Sequence, residues 1–305
     1  MLYKLSRMVL GSSAYVEISR QQFGEIVRAK ECLIEALYIE EKFGLIVDNY
    51  LEFEVDLLKG AARSMVRFKA NYEEFQFDRT RVNRRLINLL TTCKSYVDQS
   101  KFHLTNMFGR QSDVSSKFGM DLKTETGVAF RVMSEVRNYA QHRGYPIHSV
   151  SYPAKWTGVE DSAKLPFSMV PLIDLSELKK DPSFDRQLLN LLPSKDGEID
   201  VRPLIRDYLA SLGGIHEKLR GRLKPHINGW EMTIVSAIEQ FKAQCGEEKS
   251  IVGLAALAKE DGGKISQEVP LFTGFIEYRK GLEAQASSLS TLARRYVTSE
   301  GDRSL

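Results

Sequence analysis

Hydrophobic residues recur along most of the chain with the 3.6-residue period of an α-helix. The longest segment of this kind runs from Arg20 to about Lys59, and a second runs from Arg79 to Phe108, before a glycine that favours a helix end. A third segment, from about Thr124 to Arg143, carries small and medium apolar residues and is followed by Gly144 and Pro146. The first half of the chain is therefore predicted to form three helices.

The most regular pattern begins after Asp200, which is a good N-cap residue, and Pro203 lies in the first predicted turn. Apolar residues then alternate at steps of four and three, which predicts a long helix packed along one seam. We expect this helix to reach about residue 246, with a kink or a break at Pro225. The seam comprises Val201, Ile205, Tyr208, Leu212, Ile215 and Leu219.

Short segments rich in β-branched residues indicate strands in two places. HSVSY and SMVPLIDL predict two strands around a loop near Thr157–Lys164. A second hairpin is predicted from IVGLAALAK to KISQEV, with its turn at Asp261-Gly262-Gly263. A last helix is expected from about Phe272 to Val297.

These elements predict a mainly α fold, an up-and-down helical bundle with two small β-hairpin insertions. We expect residues 1–19 to form an N-terminal extension and residues 20–246 to form the bundle. Residues 247–305 would then be an appended β-hairpin and C-terminal helix.

The composition is that of an ordinary globular protein, with 43% apolar and 27% charged residues over a length of 305. The net charge of +3 excludes a polybasic tail that binds nucleic acid, although a local basic groove stays compatible with it. The cysteines at 32, 93 and 245 are odd in number and far apart, which argues against a disulfide framework or a zinc site. Apolar runs are too short for a secretory signal or a membrane span, so we expect a cytoplasmic protein.

Among the catalytic motifs, no glycine-rich phosphate loop, nucleophile elbow or HExxH metal motif is present. We therefore expect no cofactor and no metal. The one stretch that carries chemistry is SEVRNYAQHRGYP, with Arg137, Asn138 and His142 near the end of a predicted helix. Asn138 and His142 are four residues apart and project from one helix face, while the long side chain of Arg137 can curl back over the last turn. Such a set can hold a phosphate, stabilise a transition state and move a proton.

The run Arg137-Asn138-Tyr139-Ala140-Gln141-His142 resembles the signature of the HEPN superfamily of helical-bundle nucleases and nucleotide-binding proteins. The resemblance covers roughly residues 20–246 and implies a metal-independent endoribonuclease in a defence or toxin–antitoxin setting. It also implies RNA as a partner, a homodimer that brings two motifs together, and an antitoxin or other protein partner. One subgroup has a tyrosine two residues after the histidine, whereas this chain has Arg143 and Gly144 there.

In this reading His142 deprotonates the ribose 2′-hydroxyl, Arg137 stabilises the developing charge and Asn138 orients the phosphate or the imidazole. Further contacts to substrate are expected from Arg143 and Tyr145 beside the motif. Arg81 and Arg85 are also expected to contact substrate, because they share one helix face in a geometry suited to phosphates.

Two alternatives stay open at the level of sequence. An arginine and a histidine in the last turn of a helix also stabilise it through the helix dipole, and the two basic residues Arg81 and Arg85 also fit a solvated surface. If these residues have only such structural roles, the alternative to the nuclease is a non-catalytic helical scaffold that binds RNA, a nucleotide or a protein partner.

Overall fold

The computed structural model describes residues 1–9, 14–67, 71–157, 163–192, 194–246, 251–285 and 289–297. Within these ranges the protein is mainly α-helical, which confirms the predicted class. The helices are α1 (Arg20–Val66), α2 (Tyr72–Phe108), α3 (Asp113–Thr124), α4 (Val128–His142), α5 (Leu175–Lys179), α6 (Arg186–Asn190), α7 (Val201–Cys245) and α8 (Gly274–Gln285).

Two small antiparallel sheets accompany the helices. One has the strand order β2-β1-β6-β7, formed by β1 (Leu2–Arg7), β2 (Tyr15–Glu17), β6 (Leu254–Lys259) and β7 (Ile265–Pro270). The other has the order β3-β4-β5, formed by β3 (Ser149–Ser151), β4 (Val170–Asp174) and β5 (Glu198–Asp200).

The chain divides into two compact units, each assembled from separate stretches of sequence. The first unit comprises Met1–Lys42, Asp98–Gly119 and Lys218–Ala286. The second unit comprises Phe43–Val97, Met120–Glu217 and Ser287–Leu305. The first unit therefore holds the four-stranded sheet and α8, and the second holds the three-stranded sheet with α4, α5 and α6.

The long helices form where the apolar stripe was predicted. The whole seam from Val201 to Leu219 is buried in α7. The helix begins at the predicted cap, since Asp200 Oδ1 accepts the backbone N–H of Arg202 at 3.0 Å. At the end of α2, Gly109 takes a left-handed conformation with φ +87°, and its N–H is donated to the carbonyl of Thr105.

Two details of the predicted sheet structure need correction, because neither sheet is a simple hairpin insertion. In the first, β6 and β7 form the predicted hairpin, but β1 pairs with β6 over Leu2–Arg7. In the second, β3 and β4 pair as predicted and β5 adds a third strand. Part of the segment predicted as an N-terminal extension is thus a central strand, because Leu5 and Val16 bury apolar side chains.

The helix predictions also need correction. Of the two effects predicted at Pro225, a kink or a break, the break is absent, because α7 continues through this residue. The last predicted helix is shorter, since α8 ends at Gln285 and the described residues after it contain a short 3₁₀ turn at Leu292–Arg294. The helices α3 and α6 were not predicted. The predicted loop near Thr157–Lys164 lies partly outside the described residues.

No helix in the described part of the chain combines the length and apolarity needed to cross a membrane.

Candidate functional site at the end of helix α4

The motif lies in the last turns of α4, whose opposite face is anchored in the core of the second unit. Val132, Met133 and Val136 are buried at helical spacing and fix the rotation of the helix. The helix ends when the backbone N–H groups of Arg143 and Gly144 are both donated to the carbonyl of Tyr139, at 2.8 and 3.2 Å. The residues on the outward face are thereby held on a rigid element up to His142.

The side chains of Arg137 and Asn138 are hydrogen-bonded to each other, whereas His142 is bonded to neither of them. Arg137 Nη1 donates to Asn138 Oδ1 at 3.3 Å. Asn138 and His142 are exposed and Arg137 is half-buried. His142 makes no hydrogen bond or ion pair to another described residue, which leaves its imidazole open to a ligand.

Behind the motif, the guanidinium of Arg137 meets the interior of the second unit. Its Nε is buried and has no hydrogen-bond partner among the residues that the structure describes. The hydroxyl of Tyr208, hydrogen-bonded to Cys93, faces the charge of Arg137. Burial raises the pKa of Tyr208 well above its ordinary value, so this hydroxyl stays neutral.

Carboxylates surround the motif and shape its charge. Arg143 Nε lies 3.3 Å from Asp181 Oδ1, so the charge of this predicted substrate contact is partly neutralised. Burial raises the pKa of Glu135, and Asp185 and Asp181 raise it further by repulsion. Tyr145, the other predicted contact beside the motif, is 52% exposed.

A tyrosine–histidine pair that sequence reasoning missed lies on the neighbouring face of α4. The Tyr139 hydroxyl is 3.5 Å from His148 Nε2. His148 Nδ1 accepts the backbone N–H of Asp174 at 3.1 Å, which places the proton of the neutral ring on Nε2. Burial lowers the pKa of His148, so the ring is neutral at pH 7. The available signal was the position of His148 at the head of the predicted strand HSVSY.

The chain between the motif and His148 is fixed by a buried amide on α2. Asn83 Nδ2 donates to the carbonyl of Ile147, and the N–H of Ile147 is donated to Asn83 Oδ1, both at 2.9 Å. Asn83 is fully buried and thus pairs with this segment as a strand would. The turn after α4 is therefore rigid, and so is the position of His148 relative to Tyr139.

The structure places Arg81 and Arg85 away from the motif's contacts, in ion pairs with carboxylates of the same unit. Arg81 Nη2 lies 2.5 Å from Asp78 Oδ1, and Arg85 Nε lies 2.8 Å from Asp56 Oδ2. Arg85 is also bonded to Glu52. Arg81 Nε also lies 4.0 Å from Asp56 Oδ1, so both arginines join α2 to α1 through Asp56.

Among the described residues, no group of three or more His, Cys, Asp or Glu side chains has an arrangement suited to a metal ion. Comparison of the chain with protein-family models, with curated proteins and with solved structures finds no match.

Proposed function

We propose that the protein is an endoribonuclease of the HEPN type, and that its reaction centre is Arg137, Asn138 and His142. The observation that carries this proposal is the end of α4, where Asn138 and His142 are exposed on one face beside the half-buried Arg137. The up-and-down helical bundle over residues 20–246, and a cytoplasmic defence or toxin–antitoxin role, belong to the same proposal.

In the proposed reaction His142 takes the proton of a ribose 2′-hydroxyl, and the 2′-oxygen attacks the adjacent phosphorus. Arg137 stabilises the charge that develops on the phosphate oxygens, and Asn138 holds the guanidinium through its Oδ1 and orients the phosphate through its amide. The P–O5′ bond breaks, which gives a 2′,3′-cyclic phosphate and a 5′-hydroxyl. No step uses a metal ion.

The leaving 5′-oxygen needs a proton, and a single histidine does not act as base and acid at once. A second His142 from a two-fold mate would supply it, which makes the homodimer part of the proposal. The open imidazole of His142 in one protomer is compatible with such an approach.

The test is cleavage of total RNA in the presence of chelator by the wild type and by His142→Ala. We expect loss of about 10²–10⁴-fold in rate with an unchanged melting temperature, because the side chain is exposed and contributes little to the core. Gln141→Ala, an exposed neighbour on the same turn, is the matched control and should cleave normally. Equal rates for wild type and His142→Ala would refute the proposal.

A specific observation favours a second candidate, a non-catalytic scaffold that binds RNA, a nucleotide or a protein partner. Carboxylates lie beside the motif, and Arg143, Arg81 and Arg85 are each paired with one. Paired arginines attract a polyanion less than free ones do. This candidate predicts binding without cleavage, and with no effect of His142→Ala on any RNA product.

A further inference from the structure

A cavity of about 270 Å³ lies in the second unit, and Arg137, Asn138 and His142 do not line it. It is formed by the last turns of α1, the start of α2 and the chain that extends from β3 and β4. Its volume is just below that of sites for drug-sized molecules, which suits one small ligand.

One side of the cavity carries two arginines on a single helix face. Arg63 and Arg67 are one turn apart in and just after α1, and both line the cavity. Arg67 is exposed and forms no ion pair with another described residue. This wall can therefore receive an anion.

Arg63 is held in place by a buried carboxylate. Its Nη2 lies 2.6 and 2.5 Å from the two oxygens of Asp78, which is only 4% exposed. Asp78 also accepts hydrogen bonds from Arg81 and from the Tyr152 hydroxyl. The guanidinium of Arg63 also interacts with the Tyr152 hydroxyl, so its orientation in the cavity lining is fixed.

Aromatic residues also line the cavity. The rings of Phe75 and Tyr152 have centroids 5.8 Å apart. Phe167 lines the cavity across from Ala154, with which it forms a β-bridge that continues the pairing of β3 and β4. Phe75 is 37% exposed, which is the environment of a ring available for stacking.

Two further groups limit what fits. Glu74 brings a carboxylate to the lining, which accepts hydrogen bonds from amino and ring N–H groups. A Cβ at Gly60 would overlap the sulfur of Met169, so the absence of a side chain there lets α1 pack closely against Met169. The ligand that combines an anion, a flat ring and N–H donors within this volume is a nucleotide.

We propose that this cavity binds a single nucleotide, with the phosphate on Arg63 and Arg67, the base against Phe75, and the N–H edge of the base towards Glu74. Guanine fits this edge best, because it presents two adjacent donors. The same chemistry is offered by a free mononucleotide and by one nucleotide of a single-stranded RNA. The site goes beyond the proposed nuclease and does not depend on it.

Titration calorimetry on the full chain tests the site with four probes: guanosine monophosphate, guanosine, inorganic phosphate and a guanine-containing RNA pentamer. We expect the monophosphate to bind with a dissociation constant below about 1 mM and guanosine and phosphate each to bind at least about tenfold more weakly. The tighter binder of the monophosphate and the pentamer shows whether the site takes a free mononucleotide or one nucleotide of a single-stranded RNA. Binding of phosphate or guanosine as tight as that of the monophosphate, or no binding of either nucleotide probe, overturns the proposal.

Variants locate the binding. Phe75→Leu and Arg67→Gln should each weaken the monophosphate about tenfold, whereas Phe102→Leu and Arg84→Gln, exposed residues outside the cavity, should not. Phe75→Trp keeps a stacking face and should bind like the wild type, and equal melting temperatures of Phe75→Leu and the wild type would show that Phe75→Leu loses stacking and not its fold. His142→Ala should bind like the wild type, so failure of the nuclease and failure of this site give different results. Equal affinity in the cavity variants and the controls would refute the location.

Discussion

Replacing Lys30 with methionine should stabilise the protein at neutral pH. Lys30 is only 9% exposed in the first unit, and its Nζ has no hydrogen-bond partner among the described residues. The ammonium lies 3.9 Å from the ring centroid of Phe272 and 3.6 Å from that of Phe275. Burial lowers the pKa of Lys30 from 10.5 to about 8, so the charged form is disfavoured in the folded protein.

Two opposing contributions set the size of the effect. The fall in the pKa of Lys30 corresponds to about 3 kcal/mol against the charged folded state. The two cation–π contacts favour the same charge by about 0.5–2 kcal/mol each. Methionine keeps an unbranched apolar stem and its sulfur still contacts the rings. We therefore expect Lys30→Met to raise the free energy of unfolding by about 1–3 kcal/mol at pH 6.5.

The pH dependence follows from the sign of the pKa shift. Below about pH 8 Lys30 is charged in the folded and the unfolded protein, and the folded protein bears the full free-energy cost of the buried charge. Between pH 8 and 10.5 the folded state loses the proton first, so the stability of the wild type rises and the advantage of the variant shrinks. Urea unfolding at pH 6.5 and 9.5 measures both effects, with Lys59→Met, an exposed lysine of α1, as control. A variant less stable than the wild type at pH 6.5, or a difference that does not change with pH, would refute this reasoning.

The remaining predictions concern packing, capping, association and chemistry. Gly213→Ala should lower the free energy of unfolding by about 1–3 kcal/mol, because its Cβ would lie 2.6 Å from that of Leu289. Gly214→Ala meets nothing within 4 Å and should raise the free energy of unfolding by up to about 1 kcal/mol. Thermal unfolding of the two variants measures both effects. Asp200→Ala should cost about 1 kcal/mol through loss of the α7 cap, measured by urea unfolding, and Asp200→Asn should retain most of it. Light scattering should find a two-fold homodimer at micromolar concentration, and a strict monomer would remove the mechanism with two copies of His142. RNA products should end in 2′,3′-cyclic phosphate, and substrates with 2′-deoxy sugars should resist cleavage; mass spectrometry of the ends that shows another terminus would exclude attack by the 2′-oxygen.

The long helices could be predicted from sequence because their signals are local and repeated. Asp200 and the seam that follows define both the start and the buried face of α7. The helix does not break at Pro225, because the local cost of about 3 kcal/mol is outweighed by packing of Leu223 and Ile227 on either side. The helix α6 is only five residues long and depends on its Asp185 cap, so it has no period to detect.

The end of the C-terminal region shows a different reason for failure. The apolar stripe of the predicted last helix includes Tyr278, Leu289, Leu292 and Tyr296, and of these Leu289 and Leu292 are buried. Neither residue belongs to an α-helix, and the side chain of Leu289 packs against the backbone of Gly213. The period therefore predicted the burial of Leu289 and Leu292, but it was wrong for Tyr278 and Tyr296, which are 52% and 78% exposed, and it did not predict the backbone of this region.

The candidate site was predictable only in part, because ion pairing depends on partners distant in sequence. Arg137, Asn138 and His142 are visible as a motif on one helix. Arg85, by contrast, is paired with Asp56 almost thirty residues earlier, which no local pattern reveals. The cavity at Arg63 likewise joins residues from three separate stretches of chain.

The pairing of β1 with β6 has a consequence for how the protein folds during synthesis. Leu2 lies opposite Lys259 and Arg7 opposite Leu254, so β1 leaves the ribosome about 250 residues before its partner strand. At 5–20 residues per second, β1 waits roughly 10–50 s with an open edge, paired at most with β2. Nascent chains that stop before residue 254 should therefore expose the unpaired edge of β1 together with Leu5 and recruit chaperones, and release of those chaperones should follow the emergence of β6.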